Sequence, residues 1–461
     1  MNGEFPPEDQ QEPPSRTARG SKGQLLTLTC GAAAHGGTFV ARHEGRVVFV
    51  RGTAPGETVV ARLLDDSAER ATARFWRAET VEVLDPSPDR VPSVWPEAGI
   101  GGVGGADFAH IALPAQRRLK TEVLQDLLRR ARVRTLDLEE VQVEPAPGDH
   151  DGLGWRTRAQ FAVSDGRIGM RGWRSHEVFD VGENPLVVPD IRALGVTSWT
   201  PPANVVGVDV VAPSNDVPAV ILRVDERIPA AQRTEHTLRT LLEALPSAWD
   251  GIQVLAGWRG DLRTLRGSGT VSEVVGEGDM QRHYQVAAHG FWQIHRKAPS
   301  VLVEAVMAAA GAKPGDRVWD LFSGAGLFTV PLAEAVGITG HVVGVEASAR
   351  ATADARANLV GYPGAEAVAA DAARWAREQS ERPDVVVLDP PRAGAGVELT
   401  RVLCRAARRR IVYVSCDPAT LARDMRVAED SGWAIAEVRA LDLFPHTHHV
   451  ECVVMLTPRH E

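Results

Sequence analysis

Lysine is nearly missing from this chain of 461 residues: Lys22, Lys120, Lys297 and Lys313 are the full complement, and arginine supplies the other basic side chains. With abundant Ala and Gly, that bias points to a GC-rich genome and carries no function. Cysteine is scarce and unpaired. Cys30, Cys404, Cys416 and Cys452 contain no C-x-x-C, which argues against a disulfide framework and against thiolate ligation of zinc or an iron–sulfur cluster. At least one thiol is therefore free to act as a reagent. No apolar run approaches the roughly 18 residues of a membrane span. The N-terminus also lacks the basic-then-apolar pattern of a secretory signal, so the expected location is the cytoplasm, with no membrane partner. A basic excess is absent as well: the net charge is −9 and the pI about 5.9, where nucleic-acid binding usually shows as the reverse. Binding needs only a local basic face. Arg129-Arg130, Arg156 with Arg158, Arg171 with Arg174, and Arg408-Arg409-Arg410 are candidates, although each taken singly reads as solvated surface.

The length makes two or three domains the default expectation. Residues 1–21, rich in Pro, Glu, Gln and Ser, are expected to be a disordered tail. Residues 22–85 carry short β-rich runs (Leu25 to Thr29, Arg46 to Val50, Thr58 to Leu63, Arg70 to Trp76, Thr80 to Leu84) punctuated by glycines, a pattern that favours a small closed barrel. A Gly-rich connector leads to a helix over Pro114 to Arg132. The central portion, to about residue 285, reads as strands and turns with one helix near Glu235 to Leu245. From residue 286 a regular β/α alternation sets in. Val318 to Leu321, Val342 to Val345, Ala367 to Ala369, Val385 to Leu388 and Ile411 to Val414 predict a doubly wound parallel sheet, and Val450 to Leu456 adds a final strand.

In such sheets the residues just past the carboxyl ends of the strands line the ligand crevice. The first strand runs into Asp320-Leu321-Phe322-Ser323-Gly324-Ala325-Gly326-Leu327, whose glycines allow a tight turn and close approach of a ligand. The full G-x-G-x-x-G is not present, because Thr329 holds the third place. Glu346 ends the second strand, where a carboxylate can accept the hydroxyls of a ribose, and Asp371 ends the third within reach of an adenine. Each acid alone reads equally well as a helix N-cap. Three at successive strand ends beside a G-x-G loop favour S-adenosylmethionine. Asp389-Pro390-Pro391-Arg392 ends the fourth strand and Ser415-Cys416-Asp417-Pro418 the fifth, so Asp389 and Cys416 are expected to face one cleft. Cys416, at a helix N-terminus, is the candidate nucleophile, in a place that favours thiolate. Glu451, in a buried-looking segment, is a candidate proton acceptor with a raised pKa. His446, His448 and His449 beside it lack a metal-ligand spacing, so hydrogen bonding around the last strand is the expected role and no metal is expected.

These motifs resemble those of the S-adenosylmethionine-dependent RNA 5-methyluridine methyltransferases. The resemblance rests on Phe291-Trp292-Gln293-Ile294, Asp320 to Gly326, Val343-Gly344-Val345-Glu346, Asp389 to Gly394, Val414 to Pro418 and Phe444 to Glu451, in the family's order. The N-terminal barrel, with Gly37-x-x-Val40-Ala41-Arg42, resembles the OB-like TRAM module. The resemblance implies a Rossmann-like methyltransferase domain at residues 286–461, a TRAM barrel at 22–85 and a central RNA-binding α+β domain at 86–285. Gln293, Asp320, Phe322, Gly324, Gly326, Leu327, Glu346, Asp371 and Asp389 would hold the cofactor. Phe291, Asp389 and Arg392 would meet the target base, Cys416 would be the nucleophile and Glu451 would take the C5 proton. The implied partner is RNA, ribosomal ahead of transfer RNA, and a monomer suffices. Relatives with a TRAM barrel often carry a [4Fe–4S] cluster. The matching positions here are Trp95, Val103, Ala106 and Asn184, so no cluster is expected.

Two other readings stand beside this one. RNA cytosine-C5 methylation also uses a Cys nucleophile, but would be expected to place a Cys after the Pro-Pro, where Arg392 stands; exocyclic amine methylation would need no Cys416. A non-catalytic RNA-binding protein or chaperone fits the missing cluster ligands but not the joint retention of Cys416, Glu451, Gln293 and Asp389.

Overall fold

Alternation of apolar and polar residues shapes the N-terminal sheet. In Leu25–Thr29 only Leu26 and Leu28 are buried, and Val59, Ala61 and Leu63 do the same in Thr58–Leu63, the period of a strand with one face on a core. The computed structural model describes residues 20–64, 73–229 and 233–459, so the expected disordered tail lies, up to Arg19, outside the described residues. Six strands follow in the order Leu25–Thr29, Thr58–Leu63, Phe75–Asp85, Arg46–Arg51, Thr38–His43, Ala33–Ala34. Gly31 N–H donates to Val40 O, and Val40 N–H to Ala32 O, which curls the chain after the first strand onto Thr38–His43. The expected strands at 70–76 and 80–84 are one continuous strand from Phe75, with residues 70–72 outside the described residues. Thr38–His43 was not expected, because its Thr-Phe-Val-Ala-Arg-His run sits between Gly36-Gly37 and Gly45, which read as turns. Glu57, fully buried, ties the base of this unit. Burial pushes its carboxyl up, but Arg90 and donors from Ser87, Thr53 and Ala54 outweigh that and hold it below the usual carboxylate range.

The chain divides into two compact units, one of residues up to Ser93 with His110–Ala112, the other of Val94–Ala109 and Leu113 onward. The second unit contains two large sheets. Its central sheet has seven strands in the order Val178–Phe179, Arg167–Arg171, Arg158–Ser164, Val205–Val211, Ala219–Val224, Gln253–Trp258, Asp261–Arg266. The expected helix near residue 235 spans Glu235–Glu243 and is capped by Thr234.

The C-terminal sheet has eight strands: Ala365–Ala369, His341–Glu346, Arg317–Leu321, Val385–Leu388, Arg410–Ser415, Glu451–Pro458, Trp433–Asp442 and Val143–Pro145. The first five are parallel with helices between them, and their near-continuous apolar runs reflect burial on both faces. The sheet is mixed rather than wholly parallel. Glu451–Pro458 runs antiparallel between Arg410–Ser415 and Trp433–Asp442. The strand Trp433–Asp442 was not expected, because Glu437 and Arg439 interrupt its apolar pattern on the exposed side near the edge. Among the described residues no helix is long and apolar enough to cross a membrane.

Helix Leu113–Arg130 carries the buried Lys120, whose Nζ meets Asp442 Oδ1 at 2.5 Å and Phe444 O at 3.0 Å. This pair fixes the end of the strand Trp433–Asp442, and through it the turn that leads to Glu451. Lys120→Met should leave Asp442 buried without its ammonium and cost about 3–5 kcal/mol, read by urea denaturation. Replacing both residues, as Lys120→Met with Asp442→Leu, should recover most of that loss.

Candidate active site

Four parallel strands present their carboxyl ends at one edge of the C-terminal sheet, and the candidate residues follow those ends. Asp320 is fully buried. Thr329 donates to its Oδ2 while Oδ1 has no partner. Gly344 lies opposite Asp320 on the neighbouring strand. A Cβ there would stand 3.0 Å from Thr329 Oγ1 and 3.1 Å from Ser323 Oγ, so glycine lets the following loop and helix pack onto the sheet. That loop turns through positive φ at Phe322 (61°), Gly324 (54°) and Gly326 (91°), a conformation that a non-glycine residue rarely adopts. A Cβ added to Gly324 would meet only open space. Glu346 clamps the loop from the next strand. Its Oε2 accepts from Gly324 N–H at 3.1 Å and its Oε1 from Ser348 N–H at 2.7 Å.

Asp320, Glu346 and Asp389 form an acidic cluster. Burial, joined by the charges of Asp389 and Glu346, raises Asp320 to about 7 although the Thr329 hydroxyl acts the other way. Burial also raises Asp389 to about 7. Among the described residues no Lys or Arg pairs with any of the three, and acids gathered without a cation suit a cationic ligand. Gln293 is half-buried, with its amide unpartnered among the described residues. Phe291, two residues before it, is 72% exposed. Two further expected cofactor residues have partners of their own. Leu327 is buried in the core, where its carbonyl accepts from Tyr284 Oη at 3.0 Å. Asp371 is exposed and caps the helix Ala372–Glu378 through Arg374 N–H at 2.8 Å.

Cys416 follows the strand Arg410–Ser415, and Glu451 opens the antiparallel strand beside it, where Ser415 and Cys452 pair. Glu451 is 4% exposed. Burial and the charge of Asp389 push its carboxyl well above the ordinary range, as expected of a proton acceptor in an apolar wall. The thiolate expected at Cys416 is not what the structure supports. Burial, then the charges of Glu451 and Asp389, push the thiol up to about 12, with Arg392 only partly offsetting them. The helix N-terminus gives little help, because Asp417 already accepts the first free amides, those of Ala419 and Thr420.

Arg392 stands exposed at the mouth on a braced loop. Thr420 Oγ1 donates to Arg392 O, Arg423 to Ala393 O, and Ala395 N–H to the Tyr413 hydroxyl, which in turn donates to Asp424. A Cβ on Gly394 would meet Asp424 Oδ2 at 2.7 Å, so the loop closes only with glycine there. The histidines do hydrogen-bond around the last strand. His449 Nε2 lies 3.2 Å from Arg392 Nη2, and His448 Nδ1 lies 2.6 Å from Asp107 Oδ2. Burial and the neighbouring His448 and Arg392 push His449 down to about 3, so it is neutral and accepts from Arg392. Asp107 gave no signal in the sequence, being one acid in a glycine-rich connector. Arg156 and Arg158, expected at the surface, are largely desolvated, and Arg158 Nη1 donates to Gly290 O at 2.6 Å, bracing the loop that bears Phe291 and Gln293.

Two family models match the chain: the TRAM domain over residues 21–75 and tRNA (Uracil-5-)-methyltransferase over residues 378–459. An RNA methyltransferase of Streptomyces coelicolor is 38% identical over 95% of this chain and 93% of its own length. One of Bifidobacterium longum is 35% identical over 91% and 94%. The chain belongs to the RNA uracil-C5 methyltransferase family. Its members are S-adenosylmethionine-dependent enzymes, and the acidic cluster fits the sulfonium of that cofactor. In fold, the chain is similar to the Pyrococcus abyssi tRNA (uracil-54, C5)-methyltransferase solved with S-adenosyl-L-homocysteine, at 22% identity and a TM-score of 0.66, over 94% of this chain and all of that one.

A [4Fe–4S] cluster does not fit this family member. Trp95, Val103 and Ala106 are buried in an apolar core, and Asn184 turns its Oδ1 to Leu186 N–H. Trp173 packs against Gly104, where a Cβ would lie 3.1 Å from its ring.

Cys30, Cys404 and Cys452 are buried, so iodoacetamide should label Cys416 first. With the thiol raised to about 12, the labelling rate should climb about tenfold per pH unit up to at least pH 10. Glu451→Gln removes a charge that raises the thiol and should speed labelling at pH 8. Mass spectrometry of the labelled peptide reads both, and a plateau below pH 9 in the unaltered enzyme would contradict the raised thiol.

Proposed function

We propose that this enzyme methylates C5 of one uridine in RNA, ribosomal RNA ahead of transfer RNA, through a covalent bond between Cys416 and C6 of the base. The observation that carries the reading is the meeting of Cys416, Asp389 and Glu451 in one desolvated pocket at the carboxyl edge of the sheet. A mere RNA-binding protein has no use for a nucleophile held between two carboxyls, whose burial costs stability. Residues 22–85 are assigned to RNA capture, 86–285 to shaping the RNA, and 286–461 to methyl transfer.

Uracil C5 is a weak nucleophile until sulfur adds at C6. The Cys416 thiol, neutral in the empty site, gives its proton to the Asp389–Glu451 pair, and Sγ bonds to C6. The electron pair of the C5–C6 double bond moves toward C5 and O4. The bound cofactor supplies an electrophilic methyl group, which C5 accepts. The carboxyl pair must release a proton to solvent before Glu451 takes the C5 proton. Loss of that proton restores the double bond and expels the Cys416 thiolate. Arg392, held by His449, stands at the mouth where the base enters, and Phe291 offers a stacking face. A base reaches such a pocket only from a loop or unpaired stretch. Cytosine is the less favoured base, since Arg392 follows Pro391 where a cytosine enzyme would place its Cys.

The deciding experiment maps 5-methyluridine by mass spectrometry in ribosomal and transfer RNA from cells with and without the gene. Loss at a single uridine identifies reaction and substrate together, and no change in either pool would sink the reading. Cys416→Ala should lower methylation at least about a thousandfold with cofactor affinity retained. Glu451→Gln should accumulate a covalent protein–RNA adduct, seen as a heat-stable shifted band in a denaturing gel. Deleting residues 22–85 should weaken RNA binding more than cofactor binding.

A further inference from the structure

Burial and the charges of Glu451 and Asp389 push the Cys416 thiol up to about 12, and Arg392 is the cation that acts against them. A guanidinium can oppose them only while it stays near, because the interaction of charges weakens with distance and with access of water. Arg392 is exposed, and an arginine side chain left in solvent spreads over many rotamers. The hydrogen bond it donates to His449 Nε2 at 3.2 Å restricts it. That bond depends on the state and the orientation of the imidazole. Arginine has no acceptor, so Nε2 is the unprotonated nitrogen, and a half-turn of the ring would present a carbon to Arg392 instead. Two neighbouring rings confine it. His448 lies against His449 with centroids 4.0 Å apart, and Phe444 meets it edge-on at 5.9 Å. Asp107 Oδ2 in turn lies 2.6 Å from His448 Nδ1, the kind of carboxylate contact that fixes a histidine ring in one orientation. The turn that carries both histidines enters through His446 at a φ of 64°, a backbone that non-glycine residues rarely adopt. Gln116 holds it there by accepting from His446 N–H at 2.8 Å. Asp107 supplies a further anchor two residues on.

We propose that Asp107 is a positioning residue for the reaction: through His448 and His449 it holds the Arg392 guanidinium near Cys416 and so sets the reactivity of the thiol. The inference rests on the reading of Cys416 as the nucleophile and adds a residue from the segment 95–109 to its control. Arg392 already carries its proton and cannot take another, so the chain from Asp107 transmits position, not a proton. Each link is a contact between side chains of different elements or of successive residues, and each can be cut separately.

Alkylation of Cys416 by iodoacetamide tests this on the full chain at pH 8, without RNA or cofactor, read by mass spectrometry of the labelled peptide. His449→Phe keeps a ring beside His448 and removes the acceptor. Asp107→Ala removes the anchor and leaves the acceptor. Far below the thiol's own pKa the rate follows the thiolate fraction, so each variant should slow labelling about threefold, as should Arg392→Gln. His449→Phe combined with Arg392→Gln should be no slower than Arg392→Gln alone, because both cut the same interaction. Asp107→Asn, which retains an acceptor for His448, should restore most of the rate. Since Asp107→Ala could loosen the turn, His449→Phe is the deciding variant. Labelling in His449→Phe as fast as in the unaltered enzyme, or faster, overturns the proposal. Slowings that multiply in the double variant also overturn it, since they mark a general distortion rather than a lost hold on Arg392. Failure of the underlying reading shows elsewhere, as absence of 5-methyluridine formation by the unaltered enzyme on RNA from gene-deleted cells.

Discussion

Two carboxyl groups, Asp389 and Glu451, are raised by burial at one edge of the C-terminal sheet, and the charge of Asp389 raises Glu451 further. Neither has an arginine or lysine within the described residues to relieve it, so both resist ionisation in the empty site. The same two charges raise Cys416. Burial resists ionisation at such a site, and the charge it does carry keeps Cys416 a thiol. Under the proposed function, a sulfonium beside Asp389 would lower its carboxyl, and a uracil that accepts hydrogen bonds would replace lost water. On that reading reactivity would be tied to occupancy: the desolvation that keeps Cys416 a thiol in the empty site would make the carboxyls good proton acceptors once the cofactor is bound.

Such a cluster survives only if its walls do not relax, and the structure braces each of them from behind. Glu346 holds the glycine loop by the Gly324 amide and its own turn by the Ser348 amide. Tyr413 and Asp424 hold the loop after Asp389. Lys120 holds the end of the strand that leads toward Glu451, and His449 holds Arg392. Most of these supports come from elements that do not themselves touch the acidic pocket, which is how a costly arrangement of buried groups is kept in place.

Much of this was legible in the sequence because parallel strands announce themselves. Runs such as Val385 to Leu388 are apolar on both faces, so their ends, and hence Asp389 and Cys416, could be located without a structure. The same rule misled where a strand is only half-buried: Glu437 and Arg439 concealed Trp433–Asp442, and with it the antiparallel insertion of Glu451–Pro458. Asp371 illustrates an ambiguity that residue type cannot resolve, since an acid at a strand end is also the best cap for the next helix, and here it caps. The state of Cys416 was illegible for a different reason. A helix N-terminus favours thiolate only if its amides are free, and whether Asp417 takes them depends on a side-chain rotamer. Arg158 was hidden because an arginine in a strand has no sequence mark that separates a solvated head from a buried one.

The segment around residues 95–109 is held by apolar packing and hydrogen bonds. Trp95, Val103 and Ala106 stand where the resemblance implies thiolates, and they share one apolar core with Trp155 and Leu186. A cluster would cross-link such a segment; here hydrogen bonds cross-link it. Phe108 N–H donates to His446 O, Gln116 donates to Phe108 O and accepts from His446 N–H, and Asp107 meets His448. These contacts join the segment to the turn that carries His449 and ends at Glu451. The geometry of that turn therefore depends on a handful of hydrogen bonds and on the burial of Trp95.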